Sequence, residues 1–120
     1  MSDQTIALVG ELPRRAPKKA YEPMLGVYNR RSELVNGAPS YVNASGERYM
    51  LWHVSEWGWC VGFASDKGNP RGYIRLSSDK KRLEDAIGTW QVPLNDGSWL
   101  DAPGLRLLRH VPPADEVSVV

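Results

Sequence analysis

Apolar and polar positions alternate along most of this chain in short bursts, and turn-forming residues separate the bursts. Alternation over about 4–8 residues is the period of a half-buried strand, and clusters of Gly, Asn, Asp, Ser and Pro mark the turns between strands. Residues 5–10, Thr-Ile-Ala-Leu-Val-Gly, read as a short strand ended by glycine, and residues 24–28 as a second. Asn36-Gly37 follows Leu34-Val35, and Asn-Gly between apolar runs is a strong hairpin signal. Ser40-Tyr41-Val42 is a short strand and residues 43–46 a further turn. Residues 48–54 and 57–64 read as a hairpin about the polar break Ser55-Glu56. In Tyr73-Ile74-Arg75-Leu76 the faces alternate. Trp90, Val92 and Leu94 share one face of residues 89–94, Asn95-Asp96-Gly97 turns the chain, and residues 98–100 and 105–109 close the series. Residues 79–87 are the one helix candidate, with Asp79 as N-cap and Gly88 as stop. They are too few to stand without tertiary contacts. About seven or eight short strands with turn signals every ~8–12 residues predict an all-β fold, a small antiparallel barrel or sandwich with one helical turn.

The densest stretch is 49–63, which holds three of the five Trp, the single Phe and the single Cys. If its second arm is a regular strand, Trp57, Trp59, Val61 and Phe63 share one face, and Gly58, Cys60 and Gly62 share the other. That bare face predicts close packing against the backbone. In the first arm, Met50, Trp52 and Val54 oppose Tyr49, Leu51 and His53. Both faces are mostly apolar, so this strand is expected at the centre. Each aromatic side chain buries ~150–250 Å², which assigns Trp52, Trp59 and Trp90 to the core. Trp57 and Trp99 lie beside turns, where a ring can instead form a platform for a sugar, a peptide or a base.

With 120 residues, 42% hydrophobic and 24% charged, the chain has the size and composition of one ordinary domain. No apolar run approaches the ~18 residues of a membrane span, and Met1-Ser2-Asp3-Gln4 lacks the basic and apolar regions of a signal peptide. A lone cysteine forms no internal disulfide, which points to a reducing, intracellular and cytoplasmic setting. The net charge of +1 hides an asymmetry. Four of the 15 basic residues, Arg14, Arg15, Lys18 and Lys19, fall in the Pro-containing stretch 12–19, and the other 11 are set against 14 acids. The body therefore lacks the basic bias of a nucleic-acid-binding domain, and nucleic acid is expected at most through residues 12–19. The expected organisation is an N-terminal strand and basic linker over 1–23, a β domain over 24–111 and a flexible tail over 112–120.

Catalytic and metal chemistry have little to draw on. His53, His110 and Cys60 stand alone, without the paired spacing of a metal site. His53 and Cys60 lie on opposite arms of the hairpin, which leaves a Cys-His dyad open, but no orienting group or oxyanion donors accompany it. Gly68-Asn69-Pro70-Arg71-Gly72 lacks the lysine and following helix of a phosphate loop. No loop carries the oxygen density of a calcium site. No cofactor and no metal are expected.

Several motifs occur in order: Gly26-Val27-Tyr28, the run Leu34-Val35-Asn36-Gly37-Ala38-Pro39-Ser40-Tyr41, Arg48-Tyr49-Met50-Leu51-Trp52, Gly58-Trp59-Cys60-Val61-Gly62, Asp66-Lys67-Gly68, Trp90-Gln91-Val92 and Asp96-Gly97-Ser98-Trp99. Over about residues 24–108 this resembles a Trp/Gly-rich module found in multidomain proteins of algae and other protists, and the strand at Ile6 extends it. The chain departs from that pattern at Ala38, where a larger polar residue is usual, and at Cys60, where Trp is frequent. The resemblance implies an interaction module and transfers no site residues.

The expected function is a non-catalytic module that binds a protein or peptide through an aromatic or sheet-edge surface. The alternative is a carbohydrate-binding module. In both, Trp57, Trp99 and Tyr73 supply the rings, with Arg71 beside them.

Overall fold

Turn chemistry dictates the path of the chain. In the computed structural model, which describes residues 5–109 except the side chains of Lys18 and Arg109, Asn36 and Gly37 take φ angles of 55° and 77°. Two successive positive φ values make the turn whose twist matches that of its flanking strands, and Val35 pairs with Ala38 across it. At the next hairpin the Trp57 N–H donates to the Val54 carbonyl at 3.1 Å, and Gly58 follows at φ 100°. Residues 94–98 repeat the design, with the Gly97 N–H on the Leu94 carbonyl at 3.0 Å. Both turns use a left-handed glycine, Gly97 as the third residue of its loop and Gly58 as the first residue after its loop.

The strands are β1 (Thr5–Gly10), β2 (Gly26–Val35), β3 (Ala38–Asn43), β4 (Tyr49–Val54), β5 (Gly58–Phe63), β6 (Ile74–Leu76), β7 (Trp90–Pro93), β8 (Trp99–Asp101) and β9 (Leu105–Arg109). All nine are antiparallel in one sheet of order β8-β7-β6-β5-β4-β3-β2-β1-β9. The first eight form a meander, and β9 returns to pair with β1. β8 and β9 are the two edges of the sheet, yet only residues 102–104 separate them in the chain. The sheet must therefore curl to bring its edges together at that corner, giving a half-barrel. The all-β expectation holds, and a single sheet excludes the sandwich. Among the described residues the strands number nine rather than seven or eight.

β4 sits at the middle of the order, and both of its faces are buried, as its apolar pattern predicts. The inner face carries Ile6, Leu8, Tyr28, Tyr41, Leu51, Trp59, Val61, Ile74, Leu76, Trp90 and Val92. The outer face carries a smaller cluster of Val35, Met50, Trp52, Val54 and Cys60. Among the described residues β2 outruns β1 beyond Asn29, and its polar residues 29–33, with the exposed Leu34, lie in a two-stranded ribbon with β3. That is how a polar run can be strand.

Three expectations are corrected. Residues 12–23 are not an exposed linker: Leu12, Ala16, Tyr21 and Met24 are buried in the inner core. A helical turn α1 (Lys18–Tyr21) and a 3₁₀ turn Glu22–Met24 carry them across one end of the barrel. The charged residues Arg14, Arg15, Lys19 and Glu22 face solvent there, with Ala20 and Pro23. Residues 79–87 hold no α-helix, only a 3₁₀ turn Leu83–Asp85 without a side-chain cap from Arg82 or from Asp79. The segment is instead pinned by the core. Leu83 is buried, the Trp59 Nε1–H donates to the Lys80 carbonyl at 2.8 Å, and His53 Nε2 lies 2.9 Å from the Ser78 carbonyl. Finally, Trp57 and Trp59 do not share a face, because Gly58 is left-handed and resets the alternation. Trp59 points into the barrel, and Trp57 joins the outer cluster. His110 and the tail 112–120 lie outside the described residues. Among the described residues no helix is long and apolar enough to cross a membrane.

Candidate functional site

The face that sequence left bare is covered. A Cβ on Gly62 would stand 2.7 Å from the Arg71 carbonyl oxygen and 2.8 Å from the Trp52 ring. Trp52 thus fills the space its glycine neighbour leaves, and its Nε1–H donates to the Asn69 carbonyl at 3.1 Å. Asn36 holds the same loop from the other side, its Nδ2 donating to Gly68 and to His53 carbonyls at 3.1 and 2.9 Å. Lys67 donates to both carboxylate oxygens of Glu33 at 2.8 and 2.9 Å, and this holds the Glu33 carboxyl below its ordinary range. The loop 66–72 is therefore a fixed lid over the outer face of β4 and β5.

Beyond that lid, on β5 to β8, lies a surface of different character. Arg75 projects outward from β6, opposite to the buried Ile74 and Leu76. Its guanidinium lies 3.9 Å from the centroid of Trp99 and 5.4 Å from that of Trp57. The two indoles meet edge to face, with centroids 5.4 Å apart and planes at 83°. Both geometries are attractive because the ring faces are electron-rich and the ring edges are not: aromatic pairs contribute about 0.5–1.5 kcal/mol and exposed cation–π contacts about 0.5–1 kcal/mol. A polar row runs on from Arg75 across the strands. Arg75 Nε–H donates to Gln91 Oε1 at 3.1 Å, and Gln91 Nε2 donates to Asp101 Oδ1 at 2.9 Å.

The four residues singled out by sequence converge here in part. Trp57, Arg71 and Tyr73 line one depression of about 300 Å³ with Asp66, Pro70 and Gly72. Trp99 borders it through its contact with Trp57. Tyr73 contributes little ring, because its ring packs against Phe63 and Tyr21 at 5.6 and 6.1 Å. Arg71 is open, with a long 3.8 Å approach to Asp66. Sequence reasoning missed Arg75, Gln91 and Asp101. Alternation in 73–76 puts Arg75 on the polar face, but its place between the two indoles depends on the register of four strands.

This surface borders a strand edge. The Leu94 N–H donates to Ser98, and the Ala102 N–H donates to Trp90. In an antiparallel ladder such bonds recur at every second residue. Leu100 therefore faces β7 with its backbone groups, and Trp99 and Asp101 turn theirs to the outer edge of β8, which is free among the described residues.

The Cys-His dyad that the sequence leaves open is ruled out by the register. Cys60 pairs with Trp52 and His53 with Trp59, so the thiol lies on the outer face and the imidazole on the inner one. Burial pushes the Cys60 thiol up to about 12, which leaves it protonated and unreactive at neutral pH. His53 packs edge-on to Trp59, with centroids 5.4 Å apart. Comparison of the chain with protein-family models, with curated proteins and with solved structures finds no match.

Proposed function

We propose that this chain is a non-catalytic interaction module that binds an extended segment of a protein or peptide over Trp57 and Trp99, along the free edge of β8. The observation that carries this is the junction of two half-buried indoles with a strand edge whose Trp99 and Asp101 backbone groups are unpaired by β7. An added strand satisfies those groups, and side chains on alternate positions of the segment then fall over the indoles. Tryptophan also dominates the centres of protein interfaces.

The crossed rings favour a peptide over a sugar. A sugar ring stacks on a flat, open aromatic face, whereas these planes stand at 83° and Arg75 covers one face of Trp99. The Trp/Gly-rich resemblance supports the interaction reading, and the single buried cysteine suits a reducing, intracellular compartment.

The test is selection of 12-residue peptides displayed on phage against the full chain, followed by affinity measurement. Trp57→Ala and Trp99→Ala should each weaken binding by about tenfold or more, equivalent to about 1.4 kcal/mol or more. Both should leave unfolding cooperative, and a buried control, Trp59→Phe, should lower stability instead. Binding of a glycan panel with no peptide selected would favour the carbohydrate reading.

A further inference from the structure

We infer that Arg75 is a carboxylate receptor, and that the segment bound at this surface carries an Asp or Glu side chain seated on its guanidinium. The inference rests on the peptide-binding reading above and names the chemistry of the partner.

Three contacts fix the guanidinium in place. The Trp99 ring lies beneath it at 3.9 Å, the Trp57 ring flanks it at 5.4 Å, and Gln91 accepts from its Nε–H. Gln91 is itself oriented. Asp101 accepts from Nε2, so Oε1 is left to face Arg75. The row Asp101–Gln91–Arg75 therefore sets both the position and the plane of the charged group. Among the described residues neither Nη of Arg75 has a hydrogen-bond acceptor or an acid within salt-bridge distance. The neighbouring acids are engaged elsewhere: Asp66 is approached by Arg71, and Asp101 accepts from Gln91.

A planar guanidinium offers a fork of donors that matches the two oxygens of a carboxylate. Its usual weakness at a surface is the entropy of a long side chain and competition from water. Here the side chain is held already, and an indole shields one face of the group from water. The two Nη groups, with no acid of the described chain on them, therefore select an acidic side chain on the bound segment. Lysine at position 75 would keep the charge and lose both the fork and the stacking.

The experiment uses 12-residue peptides selected by display on the full chain. The selected set should share an Asp or Glu at one position. Replacing that residue in the peptide by Asn or Gln should weaken binding by about tenfold or more, as loss of a charge-assisted hydrogen-bonded pair does. Arg75→Lys should weaken binding of the acidic peptide by a similar factor and weaken binding of the amide peptide by a smaller one. Affinity for the acidic peptide should fall with added salt. Peptides that need Trp57 and Trp99 but carry no shared acid, or that bind Arg75→Lys at full strength, overturn this inference and leave the peptide-binding reading standing. Failure to select any peptide overturns that reading, and this inference with it. A single-stranded oligothymidylate that displaces the acidic peptide at equal affinity also overturns it, because the site would then be reading phosphate and base.

Discussion

The Trp52 indole donates its N–H to the Asn69 carbonyl at 3.1 Å and so ties the loop 66–72 across the outer face of β4 and β5. The contact is possible only because Gly62, on the neighbouring strand, has no side chain. Its missing Cβ is where the Trp52 ring and the Arg71 carbonyl already stand. Gly62 is thus the seat of a lid, and the lid positions Arg71 and the wall of the depression beside Trp57.

Gly62→Ala should therefore lower stability by about 1–3 kcal/mol, the usual cost of overpacking. Gly46→Ala, where nothing lies within 4 Å of the new methyl, should change stability by no more than about 0.5 kcal/mol. Urea unfolding of the two variants beside the parent checks this. Equal midpoints for all three would mean that the loop does not rest on Gly62.

Alkaline pH should destabilise the fold, with a contribution from Cys60. Burial raises its thiol from an ordinary 9.0 to about 12. Below pH 9 neither state ionises it, so the contribution to stability is fully present. Between about 9 and 12 the unfolded chain loses this proton and the folded chain keeps it, so stability falls as pH rises, by at most about 1.4 kcal/mol per pH unit for one group. Tyr28, also raised by burial, adds to the decline at higher pH. Cys60→Ala should flatten the stability curve between pH 9 and 10 relative to the parent. Parallel curves for the two proteins in urea titrations at pH 7 to 10 would contradict the burial of the thiol.

Removal of residues 1–11 should abolish cooperative unfolding, followed by circular dichroism. The deletion takes away β1, which lies between β2 and β9, and with it the core residues Ile6 and Leu8. Replacing Arg14, Arg15 and Lys19 together by Ser should leave the transition within about 0.5 kcal/mol of the parent, because these side chains are exposed and touch no such feature. A stably folded deletion variant would mean that the domain does not need β1.

Much of this fold is legible in the residues, and the limits of that reading have physical causes. Asn36-Gly37 and Asn95-Asp96-Gly97 announce their turns because only a few residue types accept positive φ. β4 announces its central place because both faces are apolar. The basic stretch misleads because Arg14, Arg15 and Lys19 dominate its composition, and the spaced Leu12, Ala16 and Tyr21 that bury it follow no strand or helix period. The segment 79–87 misleads because its helical signals are local, and Trp59, His53 and Leu83 override them from the core. Trp57 and Trp99 stand out at the candidate surface because they adjoin turns. Arg75, Gln91 and Asp101 do not, since only the register of β6, β7 and β8 places them in one row.

Hydrogen–deuterium exchange of the full chain, with and without a selected peptide, tests the central claim most directly. Free-edge strand addition predicts slowed exchange at the Trp99 and Asp101 amides on binding, with Leu100, already paired to Val92, little changed. Protection that spares β8 and appears instead along β9, or around the depression of about 380 Å³ lined by Pro23, Asn43, Arg48 and Tyr49, would contradict it.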